Sequence, residues 1–322
     1  MKPEMIILSA LLFDFLIGDP RWVPHPVRGI GFIASTIESI TRAIFGSALR
    51  IAGIITAVLV IGICGMFCWT LIKLLNEINQ IAGNIAGVLI IYFSIAPRDL
   101  YNHSNSVRKA LLSGTIETAR KKVAMIVGRD VDKLDEQGIV RASVETVAES
   151  LVDGVTAPLF YAILFGPTGA FVYRAINTMD SMFGHKNEKY LYFGWASARI
   201  DDIANFLPAR LSSPFIALSA IFMRLDFLNC LKILFRDGHK HHSPNSGLSE
   251  AAFAGALQIQ LGGLNYYEGV PDQKPLIGDN VTELTINHIQ KANNLMFLTT
   301  VLFTATGVII LTVVKGYLCL GL

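Results

Sequence analysis

The sequence predicts an all-α, polytopic integral membrane protein with a cytoplasmic-side helical region and a broken or re-entrant helical hairpin. Three observations predict it. Charge is scarce: of 322 residues, 52% are hydrophobic and 16% charged, with a mean hydropathy of +0.49. Soluble domains of this size carry about 25% charged residues, so the deficit implies lipid contact. Three charge-free stretches, residues 51–72, 78–96 and 293–314, reach the length of about 20 residues that an apolar helix needs to cross a bilayer. The polar residues are not spread evenly but gathered in four dense clusters.

Taken in order, residues 5–17 are apolar but short and interrupted by Asp14, so they are expected to span partially. No small-residue cleavage site follows, and the segment does not read as a removable signal peptide. Residues 154–173 carry no charge but contain Pro158, Gly166, Pro167 and Gly169. A Gly-Pro break frees backbone groups that hydrocarbon cannot satisfy, so a hairpin packed inside protein is expected. Residues 211–223 and 251–267 are further uncharged segments, each expected as a buried helix or partial span. The whole, residues 1–322, is read as one membrane-embedded helical domain.

Orientation follows from lysine and arginine near the spans. Arg21, Arg28, Arg42 and Arg50 precede the first long span, and Arg98, Arg108, Lys109, Arg120, Lys121, Lys122 and Arg129 follow the second. Both flanks are therefore expected to face the cytoplasm, with residues about 97–153 forming a helical region on that side. The net charge is only +2, and no basic run is interleaved with aromatics, so a nucleic-acid partner is excluded. Cys64 and Cys68 stand four apart in an uncharged stretch and read as apolar filler on one helix face.

The first polar cluster, residues 14–31, holds His25 between Pro24 and Pro26, followed by Arg28. Two prolines stiffen the backbone and fix where the imidazole points. In the second, Arg141, Glu145, Glu149 and Asp153 recur every fourth residue, one stripe on a helix. Three carboxylates on one face repel unless compensated, so the stripe is read as a site for Mg²⁺ or a cationic ligand, or else as a solvated face with an internal Arg141–Glu145 pair. The third contains Asn177, Asp180, Arg199, Asp201, Asp202, Asn205 and Arg210. Adjacent aspartates beside arginines suit a metal with phosphate ligands. The fourth, residues 237–250, reads DGHKHHSPNSGLSE and offers His242 and Asn245 on a polar loop; its histidines lack the spacing of a zinc site. Phosphate-binding P-loop and dinucleotide glycine motifs are absent, as are a nucleophile elbow and an HExxH helix.

These clusters, in this order, resemble the CobD/CbiB family, the adenosylcobinamide-phosphate (cobinamide) synthases of cobalamin biosynthesis. The residues that carry the resemblance are DFLIGDPRWVPHPVRGIG, VRASVETVAESLVDGVTAPLFY, YRAINTMDSMFGHKNEKYLYFGWASARIDDIANFLPARL and HSPNSGLSEAAFAGALQIQLGGLNYYEG, which run over nearly the whole chain. Ser150 departs from the family pattern, where asparagine usually follows Ala-Glu.

The resemblance implies a multi-pass inner-membrane enzyme that joins the free carboxylate of adenosylcobyric acid to aminopropanol or its phosphate. It implies Mg-ATP as cosubstrate, a corrinoid as substrate and no protein-bound cofactor. Other cobalamin-assembly enzymes at the membrane are implied as partners. Set against that chemistry, His25, Asp180 and His242 are candidate bases. Arg28, Arg199 and Arg210 are candidate phosphate contacts, and Asn177, Asn205 and Asn245 candidates for the corrinoid amides or an oxyanion. Glu145, Glu149, Asp153, Asp201 and Asp202 are candidate Mg²⁺ or ammonium contacts. These groups are expected to share one cavity at the inner leaflet. The rival classes are a membrane transporter, which the hydropathy and the broken segment also suit, and an AmpE-like membrane regulatory protein.

Overall fold

The structure is a computed structural model that describes residues 1–20, 22, 25–185, 187–241 and 243–319. Among them are twelve α-helices, one π-helical turn and a two-stranded hairpin. Four helical stretches are long and apolar enough to cross a membrane: Leu49–Ile78, Gln80–Ser113, Glu136–Phe183 and Asn287–Val314. The chain is therefore a helical membrane protein. It divides into two compact units, the first made of Met1–Ala96, Ala157–Asn205 and Thr306–Leu322, the second of Pro97–Thr156 and Phe206–Ala305.

In the first unit, α1 (Pro3–Ile17) stops at Gly18, whose φ of 65° ends the helix. The α2 helix (Pro26–Phe45) buries Ile30, Ala34, Ile37 and Thr41, an i, i+4, i+7, i+11 stripe, against α3. The α3 helix (Leu49–Ile78) has 30 residues, which at about 1.5 Å per residue exceeds the hydrocarbon thickness of about 30 Å. Its small residues draw helices close: a Cβ added at Gly53 would lie 1.9 Å from the Phe193 carbonyl oxygen. Cys64 and Cys68 are both buried on the inward face, while Ile54, Val58, Ile63 and Phe67 are exposed where lipid would be. Asn79 ends α3 and caps α4 (Gln80–Tyr92) through the Ile81 amide at 2.8 Å. The α8 helix (Ala157–Phe183) is broken at Gly166, with φ 65° and ψ −158°, ahead of Pro167. The broken hairpin expected around residue 166 is thus present. The α9 helix (Trp195–Phe222) begins in this unit, after Phe193 closes a core of Ile30, Ile37, Val60, Met179 and Phe183.

The second unit is built on α5 (Pro97–Ser113), α6 (Ile116–Val123) and α7 (Glu136–Leu151). Asp135 caps α7 by accepting from the Gly138 amide at 2.8 Å. A π-helical turn, Val152–Thr156, follows α7, and Thr156 Oγ1 reaches back five residues to the Leu151 carbonyl. The α10 (Phe227–Asp237) and α11 (Ser246–Leu257) helices pack together, and every residue of α11 after Ser246 is buried. Asp237, fully buried, is met by Arg236 at 2.7 Å, Lys240 at 2.6 Å and the Gly278 amide at 2.8 Å. Burial alone would raise its carboxyl, yet those contacts hold it well below the usual range.

Residues 251–267 are not one helix. The α11 helix stops at Leu257, Gln258 turns left-handed (φ 58°), and β1 (Leu261–Tyr267) pairs antiparallel with β2 (Val270–Ile277). The turn residues Glu268 and Gly269 both have positive φ, the backbone a two-residue hairpin requires. The register slips between Leu261 and Gly263, and this bulge leaves the Gly262 N–H available to a side chain. The α12 helix (Asn287–Cys319) is the last element among the described residues.

Candidate active site

Part of the third polar cluster gathers within the first unit, with Asp201 and Asn205 buried and Asn177 and Asp180 half-buried. After the Gly166 break, α8 resumes and places Tyr173, Asn177 and Asp180 at i, i+4 and i+7, one helix face. The α9 helix brings Asp201 and Asn205, one turn apart. Tyr173, fully buried, donates its hydroxyl to Asn205 Oδ1 at 2.8 Å, and Asn205 Nδ2 donates to Asp201 Oδ2 at 2.9 Å. The tyrosine therefore fixes which way the amide points, and the amide spends its N–H on the acid. Tyr161 stacks on Tyr173 at 5.3 Å and donates to the Ala204 carbonyl at 3.0 Å, bracing this wall. Asp180 has its space kept by Gly184, where an added Cβ would lie 2.1 Å from Asp180 Oδ1.

Asp201 is the unusual member. It is 9% exposed and makes no ion pair among the described residues, and its Oδ1 is buried without a hydrogen-bond partner. Burial first, then the neighbouring charge of Asp180, pushes its carboxyl up to about 7, against the amides of Asn205 and Asn177. Arg174 Nη1 is directed to Asn177 Oδ1 at 3.3 Å. Asp202, although adjacent in sequence, turns elsewhere and pairs with the exposed Arg199 at 3.3 Å. Successive residues on a helix diverge by about 100°, so these two aspartates leave the helix in different directions.

The first cluster lies in the same unit. His25 caps α2, its Nδ1 accepting from the Val27 amide at 3.3 Å, and its Nε2 lies 3.5 Å from Asp19 Oδ2. Phe93 meets the imidazole edge-on at 5.3 Å, and the Tyr92 hydroxyl donates to the Gly18 carbonyl. His25 is thus held at both ring nitrogens. Arg28 is exposed in the first turn of α2.

The second and fourth clusters share the second unit. Glu145, 5% exposed, is paired with Arg129, accepts from the bulged Gly262 amide at 2.8 Å and lies 3.9 Å from Arg141. Arg129 also donates to Asn265, and Arg141 donates to the Gly262 carbonyl and to the Leu264 carbonyl at 3.2 Å. These contacts clamp the hairpin onto α7. Glu149 accepts from Ser246 Oγ at 3.3 Å. Glu250 is buried; burial and then the charges of Glu149 and Glu145 raise its carboxyl well above the usual range, and His241 Nε2 lies 3.9 Å away. For Lys274 burial works against the charge, but Tyr267 and the three glutamates keep its ammonium above the ordinary value. Arg210 donates to the Phe206 carbonyl at 2.9 Å and to Asn245 Oδ1 at 3.3 Å, its guanidinium 3.5 Å above the Phe206 ring. A cavity of about 710 Å³ opens beside this clamp, lined in part by Lys133, Gln137, Arg141, Gln260 and Asn280.

The structure thus brings Asn177, Asp180, Asp201 and Asn205 together, sets Asp202 with Arg199, and groups Glu145 and Glu149 with residues of the fourth cluster. Asp153 sits in the π-helical turn, where the four-residue stripe of α7 no longer stacks. His242 lies outside the described residues. Among the described residues no group of three or more His, Cys, Asp or Glu is arranged to hold a metal ion. The described residues alone do not make a protein cage for a metal; Mg²⁺ bound to nucleotide phosphates requires only one or two carboxylates. Sequence reasoning passed over Arg129, Tyr173, His241, Glu250, Asn265 and Lys274. Of these, Glu250 carried a signal, an acid opening an otherwise apolar helix; Arg129 and Lys274 are ordinary cations until the fold buries them.

A family model described as CobD/Cbib protein matches residues 7–296. The cobalamin biosynthesis protein CobD of Leptospira interrogans serogroup Icterohaemorrhagiae is 49% identical over 296 residues, 92% of this chain and 94% of that protein. The protein of the same name from Clostridium perfringens is 44% identical over 304 residues, 94% and 96% of the two chains. That from Citrobacter koseri is 40% identical over 309 residues, 95% and 97%. No solved structure matches the chain.

Proposed function

This chain belongs to the CobD/CbiB family, and from that premise we propose that it is an adenosylcobinamide-phosphate synthase of cobalamin biosynthesis. The reaction joins the free carboxylate of adenosylcobyric acid to the amine of aminopropanol or its phosphate, driven by ATP. A carboxylate oxygen is a poor leaving group. Its attack on the γ-phosphorus of ATP releases ADP and gives an acyl phosphate. The amine then attacks the carbonyl carbon, the C–O bond to phosphate breaks, and the amide forms. The ammonium gives one proton to a base before it attacks, and the second leaves with inorganic phosphate.

That sequence of steps requires a proton acceptor that works near neutral pH and cations for the phosphates. The observation that carries the reading is the Asp201 carboxyl, buried with one oxygen unsatisfied and set against Asp180, in a chain of this family. Arg199 and Arg28 are exposed cations suited to phosphate; an anion beside Arg28 would also face the positive end of α2. The substrate ATP and the arginine-rich flanks of the first spans support a site on the cytoplasmic face of the cytoplasmic membrane.

Purified protein in detergent, given adenosylcobyric acid, aminopropanol phosphate and Mg-ATP, is expected to yield the corrinoid amide by mass spectrometry, with one ADP formed per amide. ATP consumption without a new corrinoid mass, or no reaction outside a sealed vesicle, would contradict the reading and favour a transporter.

A further inference from the structure

We propose that α10 (Phe227–Asp237) lies along the membrane surface and that its outer stripe, Leu228, Leu231 and Phe235, is covered by phospholipid, with Arg224 at the level of the headgroup phosphates.

The α10 sequence, FLNCLKILFRD, places apolar residues on more of the helix than one packing partner can cover. At about 100° per residue, Cys230, Ile233, Leu234 and Asp237 fall on one side, and all four are buried. The helix packs on α11. Leu228 and Phe235 stand two turns apart on the opposite side, 76% and 78% exposed, with Leu231 half-buried beside them. The cations of the helix do not cover this stripe. Lys232 reaches Asp279 at 3.7 Å and Arg236 reaches it at 2.8 Å, both drawn to one flank. Single exposed apolar side chains are ordinary on a protein surface, but a stripe opposite the buried face calls for a second apolar partner.

The neighbouring helices set where α10 stands. The Asn287–Val314 part of α12 is long and apolar enough to cross a membrane, and its charge-free run begins just after Lys291. The second half of α9 runs alongside it. Thr299 Oγ1 donates to Ser219 Oγ at 3.1 Å, and the Phe215 and Phe303 rings meet at 5.4 Å. One turn forward along α9 is thus one turn back along α12, so the two are antiparallel and Phe222 stands near the level of Met296. The α9 helix therefore leaves the apolar layer close to where α12 enters it.

Leu218, Ile221 and Phe222 are exposed apolar residues up to that point. The next exposed residue, Arg224, makes no ion pair among the described residues. Residues 223–226 join α9 to α10 in a tight turn, closed by the Leu225 amide donating to the Ala220 carbonyl at 2.8 Å. Asp226 then caps α10 by accepting from the Asn229 amide at 2.8 Å. The α10 helix thus begins at the boundary between hydrocarbon and water, where an amphipathic helix buries its apolar face among lipid headgroups and acyl chains. A protein partner on the stripe would leave Arg224 to find its own counter-ion; lipid phosphates supply one. From Leu228 to Phe235 is about 10 Å along the axis, so both reach lipid only when α10 runs along the surface rather than away from it.

The photoreactive amino acid p-benzoylphenylalanine, which inserts into C–H bonds within reach, tests this placement. The whole chain carrying it in place of Leu228, Phe235 or Asp132, an exposed residue before α7, is reconstituted in vesicles of phosphatidylcholine and phosphatidylglycerol and irradiated. Intact mass spectrometry is expected to find one added phospholipid at Leu228 and at Phe235 and none at Asp132. Both α10 positions are exposed, so the labelled proteins should elute from a sizing column in detergent as the unlabelled protein does. A covalent dimer in place of the lipid adduct would give the stripe to a second copy of the chain. Lack of an adduct at Phe235 would put that end of the helix in water. Either result would overturn the proposal, as would a lipid yield at Asp132 equal to that at Phe235.

Discussion

Asp201 in the first unit and Glu145 in the second are both buried acids, 9% and 5% exposed, and the protein treats them in opposite ways. Glu145 is surrounded by compensation: Arg129, Arg141 and the amide that a β-bulge frees at Gly262. Asp201 has the Asn205 amide on one oxygen, while its other oxygen is buried without a hydrogen-bond partner. The difference teaches that burial of an acid does not mark a reactive group. Where cations have been supplied, the acid is architecture, here the clamp that holds the hairpin on α7.

The largest effect is expected from breaking the compensated side. Arg129→Leu strands Glu145 with only the distant Arg141 and one amide, and should destabilise the protein by about 3–5 kcal/mol, read by denaturant unfolding in detergent. A change below about 1 kcal/mol would remove the clamp from the account. Next is Gly184→Ala, whose new Cβ would lie 2.1 Å from Asp180 Oδ1 and displace that carboxylate. Misplacement of about 1 Å costs up to about 10²-fold in rate, so amide formation should fall by up to that factor. Asp237→Asn removes the partner of Arg236 and Lys240 and should cost about 2 kcal/mol of stability without altering substrate affinity. Because the Asp237 carboxyl is held low in the folded protein, the wild-type advantage should be present at neutral pH and vanish as pH falls below the ordinary carboxylate range. The smallest effect is expected at Gly269, with φ of 80° in open space; Gly269→Ala should cost about 1 kcal/mol and leave amide synthesis intact.

Much of the membrane architecture was legible in the sequence, since charge-free runs and a Gly-Pro break report directly on lipid and on backbone hydrogen bonds. The hairpin at residues 261–277 was not, because Leu261, Gly262 and Gly263 are all buried and show no period of two. Its turn needs two positive-φ residues, and Glu268 gives no local sign of adopting one. In the candidate site, helical spacing correctly paired Asp201 with Asn205. Adjacency beside arginines grouped Asp201 with Asp202 as candidate metal contacts, and it gave no sign that Arg199 would pair with Asp202. Spacing likewise made Glu145 resemble Glu149, because Arg129 reaches it from 16 residues away and Gly262 from 117. Compensation over such distances is a property of the fold and leaves no local pattern.

Asp201 is a buried acid that makes no ion pair among the described residues, and stability as a function of pH tests that reading most directly. Its folded-state pKa is raised, from 3.8 to about 7, so the native protein holds a proton that the unfolded chain has lost, and stability must fall as pH rises through that window. Wild-type protein should therefore lose stability relative to Asp201→Asn between those values, with the variant the more stable of the two at neutral pH. Parallel stability curves, or a variant that is the less stable throughout, would show that Asp201 is compensated after all and contradict the account.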